Sequence, residues 1–252
     1  MSGVIMMRME HGILLLTDGM LSESSSSPTL SGKTSKVIHY RHMPAVVAMT
    51  GDFMLLGLTL LFHQGLWHDF DTMVDEFREA IGQRIAAELP YYAEPELGAR
   101  YFLGGYSHRR KRWETYRLEV YACGDDPWAG IGELEPAPQV VIAPVADAAS
   151  LRRYGFDPDN VSIGSDARKD LVRLMRALRA TPVDFGLRGV GEWTPGHMVG
   201  FFIEETILAL DVTISRLVWE FPEDEVGKPI DASHEGNAIE WEKVEDAPAE
   251  EA

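Results

Sequence analysis

The second residue of the chain is the first whose type could do chemistry. Ser2 follows Met1, and removal of Met1, which is usual before a small residue, leaves a hydroxyl and a free α-amine on Ser2. An α-amine has a pKa of about 8, so near physiological pH it can be neutral and accept the hydroxyl proton. Ser2 is therefore a candidate N-terminal nucleophile. That mechanism requires residue 2 to become the N-terminus, and we expect no leader ahead of it.

Other familiar catalytic motifs are missing from the sequence. The glycines of GLRGVGEW at 186–193 lack the preceding strand, the spacing and the lysine of a P-loop. Neither HExxH nor GxSxG occurs, and His63 and His68 have no third metal ligand at a useful spacing. The single cysteine, Cys123, excludes an intramolecular disulfide framework and is interpreted as a strand or turn residue. We predict neither a cofactor nor a metal ion.

Composition and charge restrict the class of protein and its partners. The formal net charge is −17 over 252 residues, which disfavours nucleic acid and anionic membranes as partners. A hydrophobic content of 45% can build one large domain, predicted over 1–244, while the acidic stretch 245–252 is predicted to be a disordered tail. With no signal peptide and no apolar run of membrane-spanning length, a cytoplasmic protein is expected.

Hydrophobic periodicity predicts runs of strands that alternate with pairs of helices. Such an order favours an α+β fold, a four-layer αββα sandwich with two antiparallel sheets between helix layers. The serine-rich stretch 21–35 is predicted to be a polar loop. The principal predicted strands are 3–9, 13–17, 35–40, 45–50, 101–107, 113–123 and 212–221, and the predicted helices are 53–65, 70–89, 166–178 and 194–211.

The order of several motifs resembles the proteasome β-subunit and HslV-like branch of the N-terminal nucleophile (Ntn) hydrolases. In that pattern a nucleophile is followed by a strand, a turn, a strand ending in an acid, a lysine opening a third strand, and an apolar strand running into Gly-Asp. The resemblance covers about the first 180 residues. The matching segments are Ser2, GILLL at 12–16, Asp18, SKVIHY at 35–40, AMTGD at 48–52, FLGGY at 102–106 and SIGSDARKDLVRLM at 162–175.

The resemblance implies a role for five residues. Ser2 falls at the nucleophile position, where that branch normally has threonine, and Asp18 at the acid near the amine. Lys36 falls at the cation that favours a neutral amine. Ala48 takes the place of a glycine whose backbone N–H binds the oxyanion, and Ser165 matches a serine near the amine. Lys33 is an alternative cation, and Asp211 is a possible late acid whose spacing departs from the family pattern.

Three functions follow as alternatives. The first is a proteasome-like hydrolase that cleaves peptide or amide bonds and assembles as a homo-oligomer. The second is a non-catalytic scaffold subunit of the same fold, in which Asp18 and Lys36 are a buried ion pair holding two strands. The third is an interaction domain that contacts a partner through the basic turn HRRKR at 108–112 or through the acidic tail.

Overall fold

The computed structural model describes residues 3–23, 29–51, 67–88, 96–123, 130–184 and 195–239. Within these ranges the chain forms fifteen strands and three helices. The helices are α1 (Phe70–Glu88), α2 (Ala148–Arg153) and α3 (Ala167–Ala180). The strands are β1 (Val4–Met9), β2 (Gly12–Asp18), β3 (Met20–Glu23), β4 (Thr29–Lys33), β5 (Val37–Tyr40), β6 (Ala45–Gly51), β7 (Glu96–Ser107), β8 (Arg112–Cys123), β9 (Glu135–Pro136), β10 (Val140–Ala143), β11 (Val183–Asp184), β12 (Pro195–Gly196), β13 (Phe202–Leu208), β14 (Thr213–Glu220) and β15 (Asn237–Ala238).

Two larger antiparallel sheets organise the molecule. The first has the strand order β10-β1-β2-β13-β14-β15, and the second the order β5-β6-β7-β8-β9. Two further sheets of two strands each pair β3 with β4 and β11 with β12. β2 is buried along its whole length because it lies between β1 and β13 in its sheet and is covered on both faces.

Three of the four hydrophobic clusters among the described residues hold the larger sheets and the helices together. One joins the facing sides of the two larger sheets and includes Val4, Leu15, Ala48 and Phe102. A second packs α1 against the five-stranded sheet. The third packs α2 and α3 against the six-stranded sheet, where Leu171, Leu174, Met175 and Leu178 of α3 are all buried. α3 begins at Asp166, whose side chain accepts a hydrogen bond from the Lys169 N–H, as a helix N-cap should.

The predicted four-layer αββα sandwich is wrong. More of the described residues lie in strands than in helices, and they contain three helices and two extra two-stranded sheets. Among the described residues, α1 packs against the five-stranded sheet, and α3 with the short α2 packs against the six-stranded sheet. The predicted helix 53–65 lies outside the described residues.

The predicted helix 194–211 accounts for much of this error. Within it the structure has the strand β13, which pairs with both β2 and β14. The segment FFIEETILAL reads locally as an amphipathic helix, but tertiary pairing overrides that preference. The loop predicted over 21–35 is also partly wrong, since β3 and β4 lie within it. No helix among the described residues is long and apolar enough to span a membrane.

Candidate active site

Asp18 and Lys36 form a buried ion pair. The Lys36 Nζ lies 2.6 Å from the Asp18 Oδ1, and the side chains are 1% and 0% exposed. Asp18 is the last residue of the buried strand β2, and Lys36 directly precedes β5. Because β2 and β5 belong to different sheets, the pair links the two larger sheets at one end of their interface.

The Asp18 carboxylate also binds three backbone amides. Its Oδ1 accepts the Gly3 N–H at 2.9 Å, and its Oδ2 accepts the N–H groups of Met20 at 3.1 Å and Gly200 at 3.2 Å. The Asp18 N–H in turn donates to the Gly3 carbonyl at 3.2 Å. These hydrogen bonds fix the position of the Asp18 carboxylate at the end of β2.

The packing around Gly3 leaves no room for a side chain at residue 3. A Cβ added there would lie 2.7 Å from a Val199 methyl group and 3.2 Å from the Met175 Cε. A side chain at residue 3 would therefore push the chain away from the Asp18 carboxylate. The glycine lets the chain enter β1 with its amide bound to Asp18.

Burial and the Asp18 carboxylate act in opposite directions on the charge state of Lys36. Burial lowers the pKa of its ammonium group, and the Asp18 charge and hydrogen bond oppose that shift. An ammonium group has three N–H donors. Among the described residues, Asp18 is the one acceptor within hydrogen-bond distance of Lys36. Donors on Lys36 are therefore left for another group.

A second buried carboxylate lies beside this pair. Glu204 is paired in register with Thr17, the neighbour of Asp18, and accepts a hydrogen bond of 2.6 Å from the hydroxyl of Ser35, the neighbour of Lys36. Burial raises the pKa of Glu204, and the Ser35 hydrogen bond opposes that shift. The sequence did not single out Glu204, because it lay in a segment predicted to be an amphipathic helix.

Ala48 lies inside the five-stranded sheet. Its side chain belongs to the cluster between the sheets, and it is paired with Val37 on one side and Phe102 on the other. The Tyr106 N–H donates to the Pro44 carbonyl at 3.1 Å, and hydrogen-bonded pairs alternate along an antiparallel ladder. In this alternation Ala48 and Phe102 form a hydrogen-bonded pair, so the Ala48 N–H points toward Phe102 on β7, within the sheet.

Of the other predicted site residues, Ser165, Lys33 and Asp211 are among the described residues and Ser2 is not. Ser2 is outside the described residues, although it is bonded to the Gly3 nitrogen that Asp18 binds. Ser165 is exposed at a bend before α3, and no contact among the described residues joins it to Asp18 or Lys36. Lys33 is exposed at the end of β4, and Asp211 is exposed in the turn between β13 and β14.

Gly200 was missed by sequence reasoning. Its N–H binds Asp18 from a point 182 residues further along the chain. No local pattern marks such a contact, because a backbone N–H is present at every residue except proline. Among the described residues, no group of three or more His, Cys, Asp or Glu side chains is placed to hold a metal ion.

Comparison with known proteins extends the description of the fold. No protein-family model matches the chain, and no curated protein matches it in sequence. Two similar solved structures are both Anbu (ancestral beta-subunit) proteins. That from Yersinia bercovieri has 13% identity and a TM-score of 0.52, and the match covers 84% of this chain and 86% of that one. The Anbu (Gly-1) mutant from Hyphomicrobium sp. strain MC1 has 14% identity and a TM-score of 0.52, over 86% of this chain and 88% of that one.

These matches correct the family assignment. The predicted membership of the proteasome β-subunit and HslV-like branch is wrong, because the matching structures are Anbu proteins and no family model matches. At these identities the comparison shows the fold alone. The chain has a fold similar to that of the Anbu (ancestral beta-subunit) structures.

Proposed function

We propose that the protein is an N-terminal-nucleophile hydrolase that cleaves peptide or amide bonds, with Ser2 as the nucleophile after removal of Met1. The observation that carries this proposal is the buried Asp18–Lys36 pair, whose carboxylate binds the Gly3 N–H at 2.9 Å. Residue 2 is bonded to that nitrogen. The likeness in fold to the Anbu structures supports the same proposal.

The proposed chemistry has two stages. The Ser2 hydroxyl oxygen attacks the substrate carbonyl carbon, and its proton passes to the neutral α-amine of Ser2. The tetrahedral intermediate collapses, the substrate C–N bond breaks, and the leaving amine takes that proton. Water then attacks the resulting ester, releases the acid and restores the Ser2 hydroxyl. A positive charge at Lys36 disfavours protonation of the nearby amine, which keeps it available as the base.

The test is covalent labelling together with intact mass. A β-lactone probe should acylate the protein once, and peptide mapping should place the adduct on an N-terminal Ser2 without Met1. Ser2→Ala should abolish labelling, Ser2→Thr should retain it, and Ser31→Ala, at an exposed position in β4, should label as the parent protein does. A labelled protein that still carries Met1 would contradict the mechanism.

A second candidate, the non-catalytic scaffold subunit, is supported by specific observations. The Asp18 carboxylate already accepts three backbone amides and Lys36, as a structural carboxylate would. The Ala48 N–H lies in the sheet, so it is not free to bind an oxyanion there. A protein that retains Met1, resists every electrophile and still assembles would favour this function.

Both candidates include assembly into a homo-oligomer. The names of the similar structures describe an ancestral beta-subunit, and we propose that this chain also associates with copies of itself. Light scattering coupled to size-exclusion chromatography tests this point separately from catalysis. A mass equal to one chain at micromolar concentration would contradict it.

A further inference from the structure

A cavity lies between two turns that belong to different sheets. Its volume is about 510 Å³, and its lining comes from residues 39–44, around the turn between β5 and β6, and from residues 209–213 and 215, around the turn between β13 and β14. Pockets for small molecules in proteins have volumes of about 300–1,000 Å³. Lys36 directly precedes β5, whereas the cavity lies at the other end of that strand. The cavity is therefore separate from the candidate active site.

A chain of hydrogen bonds joins the two sheets beside the cavity. The His39 Nε2 on β5 lies 3.0 Å from the Ser215 Oγ on β14, and that oxygen lies 2.5 Å from the Thr206 Oγ1 on β13. Burial lowers the pKa of His39, so its ring is neutral near pH 7 and adds no charge to the wall. The position of one turn relative to the other is fixed by this contact.

The two turns are also anchored individually. The His42 Nε2 lies 2.6 Å from the Trp67 carbonyl oxygen, which holds the first turn directly beside Arg41. In the facing turn, the Ala209 N–H donates to the Val212 carbonyl at 2.8 Å. The walls of the cavity are therefore formed in the absence of a ligand.

The cavity carries one cation and one anion that are not paired. Arg41 lines it from the β5–β6 turn, and Asp211 lines it from the β13–β14 turn. Both residues are exposed, and among the described residues neither has a partner within ion-pair or hydrogen-bond distance. Two opposite charges that line one cavity without neutralising each other are complementary to a ligand that carries both charges.

Apolar side chains complete the lining. Tyr40 and Met43 are buried, but Leu210 is 51% exposed and Val212 is 48% exposed. A ligand that covers Leu210 and Val212 removes apolar surface from water, which favours binding. The ligand should therefore have apolar groups as well as two opposite charges.

We infer that this cavity binds a short peptide of two or three apolar residues with free termini, whose carboxylate contacts Arg41 and whose ammonium group contacts Asp211. The termini of such a peptide lie at most about 7–11 Å apart when it is extended, so they can reach both turns. A single amino acid carries both charges on one carbon. The inference does not depend on the proposed hydrolytic function, because Asp18 and Lys36 lie outside the cavity lining.

The test is isothermal titration calorimetry with the tripeptide Ala-Leu-Ala at low ionic strength. We expect saturable binding that weakens at least threefold when the peptide's N-terminus is acetylated, and at least threefold when its C-terminus is amidated. Arg41→Gln and Asp211→Asn should each weaken binding of the free tripeptide at least threefold. Lys33→Gln and Glu223→Gln change exposed charges outside the cavity lining, and both should bind within 1.5-fold of the parent.

The blocked peptides assign each terminus to its residue. The acetylated peptide should bind Asp211→Asn and the parent equally, and the amidated peptide should bind Arg41→Gln and the parent equally. Ser2→Ala should bind the tripeptide as the parent does, so a failure of the proposed hydrolysis leaves this result unchanged. The inference is overturned if the tripeptide does not bind, if Arg41→Gln or Asp211→Asn binds as tightly as the parent, or if Ser2→Ala abolishes binding.

Discussion

Two buried ion pairs hold the same short stretch of chain. Asp18, the partner of Lys36, accepts the Gly200 N–H at 3.2 Å. Asp224, the partner of Arg179, accepts the N–H of the next residue, Phe201, at 2.6 Å. The side chains of both pairs are at most 2% exposed. The two ion pairs therefore position adjacent amides and are equally buried. Any difference in chemical behaviour between Lys36 and Arg179 does not come from exposure to solvent.

The pairs differ in how completely the cation is hydrogen-bonded. Arg179 makes two bonds to Asp224, of 2.9 and 2.7 Å, and donates to the carbonyls of Val199 at 2.7 Å and Asp231 at 3.1 Å. It also stacks 4.0 Å from the centre of the Phe221 ring. Four of its five N–H groups are used, and a guanidinium does not deprotonate in proteins. These features are those of a structural pair.

Lys36 is hydrogen-bonded much less completely than Arg179. Among the described residues it has one acceptor, and its burial lowers the pKa of an amine that can lose its proton. A cation with unused donors and a shifted pKa is suited to act on a neighbouring group. We therefore propose a structural role for the arginine pair and a chemical role for the lysine pair, and the predictions on these pairs test that division.

The largest effect is expected on reactivity. If Lys36 keeps the Ser2 amine neutral, Lys36→Met should lower the rate of β-lactone labelling by about 10²–10⁴-fold, the usual contribution of acid–base assistance. Arg179→Lys, which keeps the charge but loses the forked geometry, should reduce stability and leave the labelling rate of the folded protein unchanged. Equal labelling of Lys36→Met and the parent would make both pairs structural.

The next effect is on the stability of the arginine pair. Asp224→Asn should lower the free energy of unfolding by about 3–5 kcal/mol, because it leaves a buried guanidinium that cannot neutralise itself. Urea denaturation at pH 7 and pH 9 should give the same loss. A loss that becomes smaller at pH 9 would contradict this expectation, because a guanidinium carries the same charge at both pH values.

The corresponding change in the lysine pair should depend on pH. Asp18→Asn leaves Lys36 buried without its countercharge, at a cost of about 3 kcal/mol at pH 7. Burial already lowers the folded pKa of Lys36 below its ordinary value of 10.5 in the parent protein, where Asp18 opposes that shift, and loss of the Asp18 charge should lower it further. Between the folded and unfolded pKa values the unfolded state binds more protons, so stability rises with pH, and it should rise over a wider pH range in the variant than in the parent. The gap to the parent protein should narrow from pH 7 to pH 9, as measured by urea denaturation. A gap that stays constant would show that Lys36 remains charged throughout.

The predictability of each element depended on how local its signals are. Helix α3 was predicted correctly because its apolar residues recur at helical spacing and Asp166 caps its first turn. Strand β13 was predicted as a helix because its stabilising contacts are distant: Glu204 binds Ser35, 169 residues away. Nothing within the segment indicates that its glutamates would be buried.

The same distinction applies to the candidate site. Asp18 and Lys36 were named together through the order of neighbouring motifs, and the structure places them 2.6 Å apart. Gly200 and Glu204 come to this site from the wrongly predicted segment, and no motif in the sequence identified them. A backbone N–H donor and a buried carboxylate with a distant partner both depend on the tertiary fold.

The smallest effect concerns a third kind of buried charge. Among the described residues, Glu204 has the Ser35 hydroxyl as a partner but no cation. Because its folded pKa is raised above 4.5, the native state binds more protons than the unfolded state just above pH 4.5, and stability falls as pH rises through that window. Glu204→Gln keeps an acceptor for Ser35 and removes this penalty, so we expect a gain of about 1 kcal/mol at pH 7 that disappears near pH 4.

The adjacent glutamate supplies the matched control for this last prediction. Glu205→Gln removes the countercharge of Arg168 and Arg216, so it should lower the free energy of unfolding by about 1–3 kcal/mol. Urea denaturation of both variants at pH 4 and pH 7 measures the two effects. If Glu204→Gln also destabilised the protein at pH 7, its carboxylate would have to be balanced by a cation. Lys36, which follows Ser35 in the chain, would be the first to test, and the lysine pair would become a cluster with two carboxylates.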